Sequence, residues 1–360
     1  MPFNPQSKIT VQIVTWNSMS FLPNLFKSLD EQTLAPKIVV VDNASNDNVQ
    51  NWINTQYPQT TVLRNMSNNG FARAHNQAIK LNLNHWKGEN LDSKYVVICN
   101  PDIEFAKDAL QQIVNFMDSN PDVAACSPKL YRAYRKVSDI DSEHFEVERS
   151  KIIDSTGLMV SKAGQGYDRG AGEIDNGQYD NSTEVFGISG ACSVFRASKI
   201  QELSINNEFY DEDIFAYKED LDLSYRLQWL GMKVVFIPQA IVWHHRAIGS
   251  KNKQNIIYRF FKRLQRPKHI RFLSTRNHCW VLIKNISCWQ VVIFSPWFIS
   301  YEFLKLLSAL FDFTSLKGYF SAMKKFPLFL KKRHQLFKQH KIKSLDLVRK
   351  LYGLSKSKNT

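Results

Sequence analysis

The chain has 360 residues, 44% of them hydrophobic, and a formal net charge of +14, which is apolar content enough for a full-sized core and length enough for two domains. The charge is uneven: residues 251–360 carry 24 Lys and Arg against 3 Asp and Glu, whereas residues 1–250 carry 23 basic against 30 acidic residues. Five cysteines, odd in number and without CxxC spacing, argue against a disulfide framework or zinc knuckle and for a reducing compartment, and the start MPFNPQSKIT lacks an apolar stretch of signal-peptide length.

In chain order, KITVQIVTW (8–16) is β-branched and apolar and predicts a buried strand. A helix follows, with Asn17 or Ser18 as its cap and Phe21, Leu22, Leu25, Phe26 and Leu29 as its apolar face. IVVVDNASND predicts a second buried strand ending in a polar loop, and Thr61 to Arg64 a third, weaker one. NNGFARAHNQAIKLN reads as a Gly turn into a helix, KYVVICNPDIEF as a strand with a polar end, DALQQIVNFMDSN as an amphipathic helix and VAACSPKLY as a strand. Alternating strands and helices predict an α/β sheet, mainly parallel. Ligands of such sheets bind beyond the carboxyl ends of strands, where Thr15–Asn17, Asp42–Asp47 and Asn100–Asp102 all fall. Residues 150–190, rich in Gly and Asp, predict hairpins or a covering loop layer.

The segment Phe209–His245 is the most distinctive. Asp211, Glu212, Asp213, Glu219, Asp220 and Asp222 open an amphipathic helix, which is followed by a turn at Gly231, a strand, and the pair His244–His245. The helix dipole favours carboxylates at that end, and one of them can serve as a general base. Glu219 and Asp220 point about 100° apart on a helix, so only one faces a given partner. Asp222 either caps or pairs with Arg226 at i+4. Only one of two adjacent strand histidines can face a site, and His244 is the preferred metal ligand.

Asp42 suits either a hydrogen bond from a pyrimidine N3–H or ribose hydroxyl, or an Asx turn. Asn69–Gly70 at a helix start can offer backbone N–H groups to a diphosphate. Asn100–Pro101–Asp102 has the form of an Asp-x-Asp metal motif with Asn in place of the first acid, and Asp102 with diphosphate oxygens suits Mg2+ or Mn2+.

Taken together, IVTWNS, VVVDNASND, NNGFARAHNQAI, CNPDIEF, GQGYDRGAGEIDNGQYD, EVFGISGACSVFR, FAYKEDLDLSYRLQWLGMKVVFIPQAIVWHH and RNHCWVLIKN run in order over roughly residues 8–290. In them the chain resembles a family 2 inverting glycosyltransferase of the GT-A nucleotide-diphospho-sugar transferase fold, rhamnosyltransferase-like branch. The resemblance implies that Thr15, Asn17 and Asp42 hold the nucleotide, and Asn43, Asn69, Gly70 and Asn76 are expected to bind the donor with them. It implies that Asn100 and Asp102 lie at the metal and diphosphate and that Asp220 is the catalytic base; Gly190 and Glu219 are expected to meet the acceptor. Asn100 departs from the acidic pattern, and an amide binds a dication less strongly than a carboxylate does.

Composition divides the chain into a catalytic domain, residues 1–250, and a basic, aromatic-rich helical tail, residues 251–360. In the tail, IIYRFFKRL (256–264) and IRFLSTRNHCWVLIK (270–284) mix aromatics with basic residues. CWQVVIFSPWFIS (288–300) is nearly apolar but short of the roughly 20 residues that a spanning helix needs. The expectation is helices lying on a membrane surface with anionic lipid, peripheral or monotopic, at the cytoplasmic face of the inner membrane. Nucleic acid is not expected as a partner, because no recognition motif is present. The expected activity is transfer of a sugar, L-rhamnose from dTDP-rhamnose as the best candidate, to a hydroxyl of a lipid-linked or polysaccharide acceptor. The alternative is a non-catalytic sugar-nucleotide-binding or scaffold protein of the same fold.

Overall fold

The computed structural model describes residues 7–136, 146–245 and 264–354. The first half alternates strands and helices: β1 (Ile9–Thr15), α1 (Leu22–Asp30), β2 (Lys37–Asp42), α2 (Val49–Gln56), β3 (Thr61–Arg64), α3 (Gly70–His85), β4 (Tyr95–Cys99), β5 (Ile103–Phe105), α4 (Ala109–Ser119) and β6 (Val123–Lys136). Then come β7 (Glu146–Ser155), a hairpin of β8 (Leu158–Val160) and β9 (Gly166–Asp168), β10 (Cys192–Arg196), α5 (Ala197–Leu203), α6 (Glu219–Trp229) and β11 (Lys233–His245). The main sheet has the order β3-β2-β1-β4-β10-β6-β11-β5, with β7 paired to β6.

The strands β3, β2, β1 and β4 are parallel neighbours. The other half is mixed rather than parallel: β10 is antiparallel to both β4 and β6, and β5 to β11. The reason is where the chain enters β10. The Asn100 amide, just past the end of β4, donates to the Ala191 carbonyl at 2.9 Å, so β10 starts where β4 stops and must run back.

Both faces of the sheet are covered, which is why its strands read as continuous apolar runs. Successive residues of β4 serve opposite faces. Tyr95, Val97 and Cys99 join a core with α1 and α4, whereas Val96 and Ile98 join one with α3, α5 and α6. Helix α1 begins at Leu22 with Pro23 in its first turn, a position proline favours. Phe21, not Asn17 or Ser18, is its N-cap, because Asn17 is spent on a left-handed turn at φ +52°.

After residue 263 the chain is helical: α7 (Lys268–Asn285), α8 (Cys288–Ile293), α9 (Ser295–Leu310), α10 (Phe313–Lys324), α11 (Phe326–Gln339) and α12 (Ser344–Tyr352). The change of composition at residue 250 is not a packing boundary. Val281, Leu336 and Leu347 share a buried cluster with Leu221, Tyr225 and Trp229 of α6, and Trp229 Nε1 donates to the Asn285 carbonyl at 2.8 Å. The stretch 256–263 of the basic tail lies outside the described residues. No helix among the described residues is long and apolar enough to cross a membrane.

Candidate active site

The parallel pairing of β1 with β2 sets Thr15 beside Asp42. Asp42 is fully buried; its Oδ1 accepts from the Ser45 amide at 3.0 Å, and Arg64 Nη1 lies 3.6 Å from its Oδ2. The two loops pin each other. The Asn17 amide donates to Ser45 Oγ (3.0 Å), the Asn46 amide to Asn17 Oδ1 (2.9 Å) and the Met19 amide to Asp47 Oδ2 (2.7 Å). Thr15, Asn17 and Asp42 therefore come together as a rigid rim at the carboxyl ends of β1 and β2. Asn43 faces inward, donating to the Gly70 carbonyl and accepting from Asn65.

The start of α3 departs from expectation. The Gly70 amide donates to Asn68 Oδ1 (2.9 Å) and the Ala72 amide to the Phe215 carbonyl (3.0 Å), so neither is offered to a diphosphate. Gly70 has φ +78°, and a Cβ there would stand 2.5 Å from the Phe215 ring; only glycine admits that approach. Neighbouring Asn69 is half-buried at the same covered end. Asn76 is likewise consumed: its Nδ2 donates to the Tyr210 carbonyl (2.8 Å) and Glu212 (3.1 Å), and its Oδ1 accepts from the Tyr210 amide (2.8 Å). These residues fasten the acidic segment onto α3 rather than lining a nucleotide pocket.

Asn100 and Asp102 form the turn between β4 and β5, and pairing of β5 with β11 brings His244 to Asp102, Nε2 to Oδ1 3.4 Å. On the other side of the ring, Nδ1 lies 2.8 Å from Asp154 Oδ2, and Asp154 is also 3.3 Å from Arg132 Nε. An ionised carboxylate only accepts, so Nδ1 carries the proton and Nε2 is turned to Asp102. A shared divalent cation can join Nε2 to the Asp102 carboxylate, as a second ring proton can, so the pair is compatible with a metal. Among the described residues no group of three His, Cys, Asp or Glu could hold a metal, so donor oxygens would have to complete the site. His245 turns away to Glu104 (2.8 Å), which Arg149 also holds (2.8 Å). Burial alone would raise the Glu104 carboxyl, but these two bonds outweigh it and hold it below its ordinary range.

At the start of α6 the three acids separate. Asp222 is fully buried and bonded to Arg226 Nε (3.1 Å), Lys284 Nζ (3.0 Å) and Asn285 Nδ2 (2.7 Å). Glu219, expected at the acceptor, is buried. Desolvation, and then the charge of Asp220, raise its carboxyl to about 8, so it is neutral at pH 7. Asp220 alone is half-exposed, with Gly190 beside it: a Cβ on Gly190 would stand 3.5 Å from Asp220 Oδ2.

Arg276, Asn277, Lys284 and Asn285 of α7, all of which touch the acidic segment, escaped sequence reasoning. The run RNHCWVLIKN was visible as a motif but carried no role.

Residues 10–203 match the model of the family Glycosyl transferase family 2, and residues 172–329 that of Glycosyl transferase family group 2. The chain is 25% identical over 245 residues to the N-acetylglucosaminyl-diphospho-decaprenol L-rhamnosyltransferase of Mycobacterium tuberculosis, covering 66% of this chain and 76% of the relative. It is 24% identical to the O-antigen chain rhamnosyltransferase RfbN of Salmonella typhimurium, covering 66% of each. Among solved structures it is similar to S. aureus TarS 1-349 (TM-score 0.51, 13% identity, 96% of this chain and 90% of that one). It is also similar to GalNAc-T7 with UDP, GalNAc and Mn2+ (TM-score 0.53, 14% identity, 77% of this chain), where the match spans about half, 47%, of the other chain. At such identities the structural likeness concerns the fold alone.

Proposed function

We propose, because this chain belongs to glycosyl transferase family 2 and is a rhamnosyltransferase-like glycosyltransferase of glycan biosynthesis, that Asp220 is its catalytic base and that it moves L-rhamnose from dTDP-rhamnose to a lipid-linked acceptor. The observation that carries the base assignment is the fate of the three acids of α6. Asp222 is saturated by Arg226, Lys284 and Asn285, and Glu219 is buried and neutral, which leaves Asp220.

In this reading Asp220 accepts the proton of the acceptor hydroxyl as its oxygen bonds to the anomeric carbon, and the nucleoside diphosphate leaves from the opposite face, inverting the centre. Glu219, kept neutral beside it, avoids a second negative charge at the point of attack. Asp42 is the group that accepts the N3–H of a thymine or uracil, with Thr15 and Asn17 shaping the rim. Asp102 and His244 would hold a divalent metal, Mg2+ or Mn2+, with the donor, and Asn100 would border the diphosphate. When bound, the metal offsets the negative charge that grows on the leaving diphosphate. The names of two relatives favour rhamnose, and one of them favours a polyprenyl-diphosphate acceptor.

Such an acceptor stays in a bilayer, so the enzyme must come to it. Helices α9 and α10 and the turn between them leave Trp297, Phe303, Leu310, Phe311, Phe313 and Phe320 more than half exposed, within a tail that carries 24 Lys and Arg against 3 Asp and Glu. We assign this face to the cytoplasmic surface of the inner membrane, the basic residues meeting anionic head groups.

The test is donor turnover. Protein in detergent is given dTDP-rhamnose, UDP-glucose, UDP-galactose or GDP-mannose with Mg2+ or Mn2+, and nucleoside diphosphate release is followed. The reading expects release from dTDP-rhamnose, abolished by EDTA and lowered by Asp220→Asn by about 10²–10⁴-fold. Release from another donor replaces the sugar; release that survives EDTA removes the metal. Nucleotide binding without release, unaltered by Asp220→Asn, replaces the transferase reading with the non-catalytic one.

A further inference from the structure

The segment between Asp211 and α6 is backbone under constraint. Phe215, Tyr217 and Lys218 have φ +67°, +70° and +77°, positive values that non-glycine residues rarely adopt. Such outliers persist only where their surroundings over-determine them, and here they immediately precede Glu219 and Asp220.

What over-determines them is the tail. Asn277 is fully buried, and its Nδ2 lies 2.8 Å from the Ile214 carbonyl, 2.8 Å from that of Ala216 and 2.9 Å from that of Tyr217. Arg276 Nη2 reaches the carbonyls of Asp213 (3.3 Å) and Ile214 (3.1 Å). Its Nε donates to Asn277 Oδ1 (3.0 Å), which orients the amide with its nitrogen toward the segment. The Phe215 carbonyl is taken from the other side by the Ala72 amide at 3.0 Å. Five consecutive carbonyls, 213 to 217, are thus all held, four of them by two adjacent side chains some 60 residues away in the chain. The next carbonyl, that of Lys218, begins the regular ladder of α6 by accepting from the Asp222 amide.

We propose that Asn277 and Arg276 are positioning residues for Asp220: they hold segment 213–218 in its positive-φ course, so that α6 starts at Glu219 and the Asp220 carboxylate rests against Gly190. The proposal rests on Asp220 being the base. Their hydrogen bonds end on backbone, so their effect reaches the reaction through where α6 begins. The tail is on this account part of the catalytic apparatus. Helix α7 sets the base, while among the described residues the rim of β1 and β2 is pinned by its own two loops.

The experiment compares wild type, Asp220→Asn, Asn277→Ala, Arg276→Lys and Thr275→Val, measuring kcat, donor KM, nucleoside diphosphate binding and thermal unfolding. Arg276→Lys keeps the charge but not the planar fork whose Nε reaches Asn277 Oδ1 while Nη2 reaches the carbonyls. Thr275→Val disturbs the opposite side of α7, where Thr275 Oγ1 meets Ser315, and serves as the stability control. The expected result is a kcat loss of about 100-fold in Asn277→Ala, the scale of a base displaced by about 1 Å. A smaller loss is expected in Arg276→Lys, with donor KM and nucleoside diphosphate affinity within threefold of wild type in both. Thr275→Val retains kcat at a similar loss of Tm. Unchanged kcat in Asn277→Ala, or a kcat loss in Thr275→Val matching its own, overturns the positioning role and leaves the base assignment standing. Full activity in Asp220→Asn, or a wild type without turnover, overturns the base and the positioning role together.

Discussion

His244 Nδ1 lies 2.8 Å from Asp154 Oδ2, and this contact decides what the opposite ring nitrogen presents to Asp102. A metal-ligating histidine depends on such a partner for its tautomer and orientation, and losing the partner costs about 10–100-fold in metal affinity. Asp154→Asn is therefore expected to raise the Mn2+ concentration needed for half-maximal donor turnover by about that factor, while nucleoside diphosphate still binds in EDTA. An unchanged Mn2+ requirement would mean that His244 holds no metal and serves the buried network with Arg132 alone.

Glu219 makes a second prediction, through pH. Its folded carboxyl titrates at about 8 against an ordinary 4.5, because of desolvation and the neighbouring Asp220 charge. A raised acid contributes stability that is fully present below its ordinary value and is lost as pH rises through about 8. Glu219→Gln mimics the neutral form and cannot ionise. Its Tm should match wild type near pH 5 and exceed it by about 2–4 °C near pH 9. Parallel Tm curves across that range would mean that Glu219 ionises freely in the folded protein.

Much of the rim at the carboxyl ends of β1 and β2 is legible in the sequence because its signals are local. The apolar runs of β1 and β2 and the polar residues that end them lie within a few positions of one another, so Thr15 and Asp42 meet by simple strand pairing. The acids of α6 were visible for the same reason, but their separate fates were not. Saturating Asp222 depends on Lys284 and Asn285 of α7, some 60 residues further on. Asn76 shows the opposite error. It stands in a motif that suggests a nucleotide loop, yet its hydrogen bonds reach 134 residues along the chain to Tyr210. Asp154 carried no local signal, since its partner His244 lies 90 residues away.

A third prediction concerns the ion pairs that fasten the tail to α6. Lys284 Nζ lies 2.7 Å from Asp211 and 3.0 Å from Asp222, all three side chains at most 3% exposed. Breaking a buried pair leaves a charge without its counter-ion, at a cost of about 3–5 kcal/mol. Lys284→Met should show that loss in denaturant unfolding; a change below about 1 kcal/mol, the range of surface pairs, would refute it. The acid limb gives an independent check. Burial alone would raise the Asp211 carboxyl, but Lys284 and Lys332 outweigh it and hold it well below its ordinary 3.8. Its contribution is present above pH 3.8 and is lost as pH falls, so Lys284→Met should flatten the decline of stability below that point.

The exposed face of α9 and α10 makes the fourth prediction. Phe303 and Phe311 are 57% and 80% exposed. Seating each ring in a bilayer is worth about 1.5–3 kcal/mol, so Phe303→Glu with Phe311→Glu should weaken vesicle binding at least about tenfold. The assay is co-sedimentation with vesicles of phosphatidylglycerol and phosphatidylcholine, against phosphatidylcholine alone. Wild type should prefer the anionic vesicles and lose that preference in high salt, as expected for a basic segment. Turnover of a soluble acceptor in detergent should be the same in wild type and the double variant. Equal vesicle binding by both proteins would refute the membrane seat. Concentration-dependent dimerisation of wild type, abolished by the two substitutions, would assign the same face to a second copy of the chain instead.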